Sequence, residues 1–253
     1  MKDLKDKVVL VSGGSTGIGA AAARAFAEQG ARTMIHYNAS RDAAAALVAE
    51  IKSAGGEAHM IGGDVTDLSN VSRVVKETAE KLGRIDVLIN NVGSLVKRTP
   101  VSDYSIELLD EVLNINVRQL VWFVKESAAV MRMQGGGNII NTTSIAARNG
   151  GGPGSVLYAA AKGFVSTATR GWARELAPDR IRVNAVSPGV ILTPFHERFT
   201  TAEQLTAMQA TVPMQRLGVP EECAGTFLYL ASDELSGYVT GQTVEVNGGQ
   251  WMS

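Results

Sequence analysis

Apolar residues along this chain gather into seven short runs, mostly separated by stretches with helical spacing. The runs are KVVLVSG (7–13), ARTMIHY (31–37), EAHMIGGDV (57–65), IDVLINNVG (85–93), GNIINTTS (137–144), IRVNAVSPG (181–189) and TVEVNGG (243–249). Between them the pattern predicts an alanine-rich helix from Gly17 to Gln29, closed by Gly30, and another that begins near Ser40, a suitable N-cap. Further helices are expected from about Asp67 to Gly83, from about Ser105 to Arg132, and around YAAAK (158–162). The strand-like runs are nearly continuous in apolar residues, as strands are when both faces of a parallel sheet are covered. Right-handed crossovers then give a doubly wound α/β fold, with seven mainly parallel strands and helices on both faces. No internal repeat, low-complexity tail or linker divides the chain, so a single domain over residues 1–253 is expected.

Composition narrows the function classes. The chain is 45% hydrophobic and 19% charged, as in an ordinary soluble globular protein with a sizeable core. Its net charge of −1 balances 24 basic against 25 acidic residues, which gives no general electrostatic reason to expect nucleic acid or an anionic membrane as partner. The single cysteine, Cys223, lies in an amphipathic helical pattern and reads as a core residue, with no CxxC partner for zinc. His36 and His59 lack metal-ligand spacing, and no metal site is expected. The opening MKDLKDKVVLVSGG lacks a signal-peptide pattern and no run approaches the ~20 apolar residues of a membrane span, so a cytoplasmic location is expected.

The first strand runs into SGGSTGIG (12–19) and then a helix. Gly13, Gly17 and Gly19 permit a sharp turn and close packing, and the helix N-terminus suits a pyrophosphate. The spacing is GxxxGxG, weak alone but strong at the first strand–helix junction of a Rossmann-like chain. Asp64 ends the third strand, and Asn90, Asn91 and Gly93 end the fourth. In open α/β sheets these strand ends gather around the ligand, although Asp64 also reads as a turn carboxylate. Tyr158 and Lys162 stand four apart on one helix face, either by accident of an alanine-rich helix or to handle a proton.

Taken in order along the whole chain, these motifs resemble the short-chain dehydrogenase/reductase family. TGxxxGxG appears from Ser12–Gly13 to Gly19, with serine for threonine. NNAG appears as NNVG, where Val92 replaces alanine and is expected to tighten the floor of the site. YxxxK is Tyr158 to Lys162, the catalytic serine matches Ser144 in NTTS, the helix asparagine matches Asn116 in NINV, and the PG motif is SPGVILT. The resemblance implies reversible hydride transfer between a nicotinamide and a carbonyl or secondary alcohol, with Asn116, Ser144, Tyr158 and Lys162 as the catalytic set. Its cofactor positions would be Gly13, Ser15, Thr16, Gly17, Ile18, Gly19, Tyr37, Asn38, Arg41, Asp64, Val65, Asn91 and Gly93. Pro188, Gly189, Ile191 and Thr193 would complete them, together with Tyr158 and Lys162.

Those residue types suit the chemistry. A free tyrosine titrates near ~10, and an adjacent ammonium stabilises its phenolate. Lys162 is placed for this and for the ribose hydroxyls. Ser144 would hold the substrate oxygen, and Asn116 a water that links Lys162 to solvent. On the family pattern Tyr37 takes the place of the acid that binds the ribose 2′-hydroxyl in NAD enzymes. Asn38, Ser40 and Arg41 follow without a carboxylate, so NADP(H) is favoured over NAD, although Thr16 stands where NADP enzymes commonly place a basic residue.

The substrate is less legible. Residues 191–214 resemble the family's lid, with Phe195, Phe199, Met208 and Met214 as apolar lining or helix packing and His196 facing either substrate or solvent. The relatives suggested are 3-oxoacyl-carrier-protein reductases and sugar or polyol dehydrogenases. A carrier protein would meet a basic patch, for which Arg118, Arg132 and Arg180 are candidates. A nucleotide-binding regulator without catalysis is the alternative of another class, disfavoured because a pure binder needs no proton relay. The resemblance also implies a homotetramer, with the 105–132 and 156–177 helices and the C-terminal NGGQWMS as subunit contacts.

Overall fold

A computed structural model describes residues 1–252. Its centre is a seven-stranded sheet, parallel at every pairing, in the order β3-β2-β1-β4-β5-β6-β7. The strands are β1 (Val8–Ser12), β2 (Arg32–Tyr37), β3 (Glu57–Gly62), β4 (Val87–Asn90), β5 (Gly137–Thr142), β6 (Ile181–Pro188) and β7 (Thr243–Val246). The helices are α1 (Gly17–Glu28), α2 (Arg41–Ser53), α3 (Leu68–Leu82), α4 (Ile106–Leu113), α5 (Gln119–Met133), α6 (Ala146–Asn149), α7 (Val156–Leu176), α8 (Pro194–Phe199), α9 (Ala202–Ala210), α10 (Pro220–Ala231) and α11 (Asp233–Ser236).

Continuous apolar strands are required because each strand feeds two cores. In β1, Val9 and Val11 point into one cluster with Phe26 of α1, Leu47 of α2 and Phe227 of α10. Val8 and Leu10 point into the other, with Val74 of α3, Phe123 of α5 and Leu176 of α7. The strand period of two therefore distributes one run to both faces. Cys223 sits fully buried in the first cluster, and burial pushes its thiol up to about 12. No helix among the described residues is long and apolar enough to cross a membrane.

Local signals match the expected boundaries. Asp67 accepts the Ser69 N–H at the start of α3, and Gly83 ends that helix in a left-handed conformation. The long helix expected from Ser105 to Arg132 is present but not uniform. A π-helical turn, Asn114–Arg118, joins α4 to α5 and centres on Asn116. Such turns insert an extra residue and recur at functional sites.

With every strand parallel, all seven C-terminal ends reach one edge of the sheet. Strand order reverses between β1 and β4, whose ends carry Ser12 and Asn90 opposite each other. The ligand crevice of an open α/β sheet opens at this switch point. The helix-to-strand turns at Gly30, Gly55, Gly83 and Gly135 lie on the opposite edge.

Candidate active site

The glycine loop at the switch point is held from beneath. Gly13 and Gly17 adopt φ of +61° and +54°, which a side chain would strain. Ser12 keeps the hydroxyl of the usual threonine and accepts the Asn91 N–H at 3.0 Å, while Asn91 Nδ2 donates to the Gly13 carbonyl at 3.0 Å. His36 supplies a tie that its sequence position did not reveal. Its Nδ1 accepts the Gly13 N–H at 3.2 Å, and its Nε2–H donates to the Gly63 carbonyl at 2.9 Å. That pairing sets the tautomer, and burial, the largest influence, holds the imidazole below its usual range and therefore neutral.

Val92, the departure from alanine, packs on the loop as expected. Its Cγ2 lies 3.1 Å from where a Cβ on Gly13 would stand. Thr16 makes no side-chain cap to α1, so the first N–H groups of that helix stay open to the cleft that Thr16, Gly17 and Ile18 line. A diphosphate fits such a cradle, where N–H groups and a helix's positive end converge.

The opposite wall carries the residues expected to handle a proton. Ser144 follows β5, and its hydroxyl accepts the Ala146 N–H at 3.1 Å. Tyr158 and Lys162 share one face of α7, with Lys162 Nζ 5.8 Å from the Tyr158 ring centroid. Lys162 is 3% exposed, and its Nζ donates to the Thr142 carbonyl at 2.9 Å. Gly93 leaves room for it, since a Cβ there would lie 2.9 Å from Nζ. Asn116 is fully buried. Its Nδ2 donates to the carbonyls of Ser94 at 2.8 Å and Val112 at 2.9 Å, and its Oδ1 accepts the Ser94 N–H at 3.1 Å. The side chain thus clamps the loop after β4 beside Lys162.

Electrostatics within the protein differ from the simple expectation. Burial draws the Lys162 ammonium down to about 8. Burial also pushes the Tyr158 phenol up to about 12, with a hydrogen bond from the Ser144 hydroxyl opposing it. The Tyr158 ring is only half-buried, so the rise reflects crowding around its hydroxyl and not enclosure of the whole residue. Desolvation outweighs the Ser144 hydrogen bond, and the phenol remains a proton donor through neutral pH.

A cleft of about 950 Å³ brings most of the expected residues together. Its walls include Gly13, Ser15, Thr16, Gly17, Ile18, Asn38, Val65, Asn91 and Gly93, with Ser144, Tyr158 and Lys162 opposite. Pro188, Gly189, Ile191 and Thr193 lie on a third side. Four expected cofactor positions lie outside that lining. Gly19 packs behind the loop, and a Cβ on it would lie 2.4 Å from the Gly13 carbonyl oxygen. The Tyr37 ring covers Gly62, and Arg41 is exposed at the start of α2. Asp64 is exposed and accepts the Thr66 N–H at 3.0 Å and the Thr66 hydroxyl at 2.8 Å, the turn role its position also allowed.

From the lid segment, Phe195, Phe199 and Met208 line the cleft, whereas Met214 is exposed outside it. His196 is a half-buried wall residue, bonded through Nδ1 to the Thr200 hydroxyl at 3.0 Å. Burial first, and then the Arg98 charge, hold its imidazole below the usual range. Arg98 and Asn149 also line the cleft, and neither belongs to a recognisable motif. No aspartate or glutamate is among the lining residues.

Comparison with known proteins agrees with this geometry. Residues 13–250 match a family model described as enoyl-(acyl carrier protein) reductase. A 3-oxoacyl-[acyl-carrier-protein] reductase from Synechocystis is 40% identical over 252 residues, covering 100% of both chains. A short-chain type dehydrogenase/reductase from Mycobacterium marinum superposes with a TM-score of 0.93 at 35% identity, covering 99% of this chain and 98% of that one. An NADH-dependent reductase, A1-R′, complexed with NAD gives a TM-score of 0.88 at 33% identity, covering 100% of this chain and 99% of the other.

Proposed function

Because the chain belongs to the short-chain dehydrogenase/reductase family, an oxidoreductase family acting on CH–OH and C=O groups, we propose that it reduces a carbonyl substrate with NADPH, using Tyr158 as the general acid. The observation that carries this reading is the convergence of Ser144, Tyr158 and Lys162 on one wall of a cleft whose other wall is the glycine loop. The hydride is what a reduced nicotinamide supplies when bound. The open N–H groups of the loop and α1 would hold the diphosphate, and Lys162 the ribose hydroxyls beside it. Ser144 would donate to the carbonyl oxygen and keep it within reach of the phenol. Tyr158 would pass its proton to the alkoxide as negative charge develops, and its high pKa keeps that proton in place at neutral pH.

NADPH is favoured over NADH because Asn38 and Ser40 line the wall beyond β2 and no carboxylate there would repel a 2′-phosphate. The experiment is NADPH and NADH oxidation in parallel against an acetoacetyl thioester, keto sugars, cyclic ketones, steroids and quinones. Turnover of one class, faster with NADPH, is expected. Faster turnover with NADH would reverse the cofactor reading, and silence throughout despite cofactor binding would favour the non-catalytic alternative. Exposed Ile106, Leu109, Val156 and Phe164 on α4 and α7 support a homotetramer, and the same preparation should sediment as one.

The Synechocystis relative favours a second reading, reduction of a carrier-bound 3-oxoacyl thioester. The candidate basic patch lends it less support. Arg118 pairs with Asp110 at 3.0 Å and Arg132 with Asp179 at 2.6 Å, so two of the three arginines are already neutralised.

Lys162 gives the reaction a defined alkaline limit. A base whose pKa is drawn down to about 8 holds its charge below that pH and loses it above. The kcat/KM for carbonyl reduction is expected to be level through neutrality and to fall as pH rises through about 8. A profile that stays level well into the alkaline range would show that the Lys162 charge is not needed in the rate-limiting step.

A further inference from the structure

The segment over the substrate end of the cleft is held at its two ends, where Leu192 bonds to Gly218 and Thr211 and Met214 bond to Gln250 and Gly248, and is tethered at one point between them. Helices α8 and α9 contain no buried residue. Among the described residues, one hydrogen bond links positions 194–210 to anything outside 193–215: Arg98 Nε donates to the Phe199 carbonyl at 2.8 Å. Segments with few buried contacts and few bonds to the body open at low free energy. A single strong bond therefore governs how this one seats.

That bond is placed to act on the reaction. Phe199 ends α8, where the free carbonyls and the negative end of the helix suit a guanidinium. The same guanidinium donates through Nη1 to the Pro153 carbonyl at 3.0 Å, and the adjoining Thr99 N–H donates to the Gly154 carbonyl at 3.0 Å. Arg98 thus joins the loop after β4, the loop before α7 and the lid. It has no carboxylate partner among the described residues, so its charge is met by these carbonyls. From Phe199 an aromatic row runs inward. Its ring lies 5.1 Å from Phe195, and the Phe195 ring lies 5.6 Å from that of Tyr158.

The approach to Arg98 is itself constrained. Val96 has φ of +65°, rare for a β-branched residue, in a three-residue turn closed by the Lys97 N–H on the Leu95 carbonyl at 2.8 Å. Two residues earlier, Asn116 clamps Ser94 through both its N–H and its carbonyl. A strained turn between a fixed anchor and a cleft-lining arginine is a sign that the arginine's direction matters.

We propose that Arg98 is a positioning residue that latches residues 194–210 over the cleft and so seats Phe195 and Phe199 against Tyr158 when substrate is bound. The proposal rests on the carbonyl-reductase reading for its effect on rate, but the latch itself can be measured without turnover. Amide hydrogen exchange would be followed on the full chain with NADPH, comparing wild type, Arg98→Met and Arg98→Lys. Loss of a hydrogen bond to a charged group is expected to speed exchange in residues 195–210 by roughly tenfold or more in Arg98→Met. The strands and α7 should keep wild-type protection, and Arg98→Lys should fall between, because an ammonium keeps the charge but lacks the planar fork whose Nε and Nη1 meet the two carbonyls. Unchanged lid exchange in Arg98→Met would overturn the proposal. So would equal loosening of the sheet in both variants, which would make Arg98 a general structural residue.

For whichever carbonyl class is turned over, Arg98→Met should raise KM by roughly tenfold with NADPH affinity unchanged. Tens of millimolar guanidinium should restore part of that loss. Faster lid exchange in a protein that reduces no carbonyl would sustain the latch while removing the reductase reading. An unaltered KM beside faster exchange would overturn the positioning role.

Discussion

Tyr158→Phe is expected to lower kcat for carbonyl reduction by about 10²–10⁴-fold and to leave NADPH affinity unchanged. The substitution removes one oxygen and keeps the ring, so the contact with Phe195 at 5.6 Å is retained. Lys162 also keeps its bond to the Thr142 carbonyl, which does not involve the tyrosine. What disappears is the proton that quenches the alkoxide after hydride arrives. With the phenol pushed up to about 12, the wild-type group is almost wholly protonated at neutral pH, the form a reduction consumes. Single-turnover NADPH oxidation, with cofactor titration on the same samples, separates chemistry from binding. A Phe variant that retains most of its activity would sink the mechanism, because no other titratable side chain with an O–H lines that wall beside Ser144.

Gly19→Ala is expected to destabilise the chain by about 1–3 kcal/mol and to weaken NADPH binding by more than tenfold. A methyl group there would lie 2.4 Å from the Gly13 carbonyl oxygen, 2.6 Å from Asn91 Nδ2 and 3.0 Å from Gly14 Cα. Each of these atoms is backbone or anchored: Asn91 is pinned by Ser12 and Gly13, and Gly13 by His36. The loop must therefore move, and with it the N–H groups proposed to hold the diphosphate. Gly225→Ala is the control. That residue lies exposed within α10 with nothing within 4 Å of its would-be Cβ, so alanine should be neutral or stabilise by up to about 1 kcal/mol. Thermal unfolding and NADPH titration of both variants test the contrast. Unaltered cofactor affinity in Gly19→Ala would mean the loop has slack that its packing does not show.

Much of the fold and of the site is legible in the residues because the determining features are local. The apolar runs, the glycines after β1 and the four-residue step from Tyr158 to Lys162 each carry their geometry with them. Ser12, Asn91, Ser144 and the 188–193 segment follow because strand ends in such a sheet must converge. The remainder depends on partners that have no sequence signature. Arg98 binds two backbone carbonyls, and any residue supplies a carbonyl. His36 bridges Gly13 to Gly63, 27 positions away, so its role exists only once β2 and β3 are side by side. Asp64 has the place of a cofactor contact, but Thr66 two residues on offers it two hydrogen bonds without closing any loop. Arg41 follows the same logic: the first residue of α2 points wherever that helix rotates it, and here it points to solvent. The π-helical turn was hidden for another reason. NINV has ordinary helical spacing, and only the clamp on Ser94 shows why one extra residue is accommodated.

An all-parallel sheet divides this molecule into two rims with different freedoms. The turns at Gly30, Gly55, Gly83 and Gly135 bring helices back to strands, and none of them lines the cleft. The loops that do line it leave strand ends on the other rim, each rooted in a core that neither loop length nor loop sequence builds. Selection can therefore rewrite the reactive rim, one loop at a time, while the folding rim stays as it is. A chain of this design can change its substrate without first having to relearn how to fold.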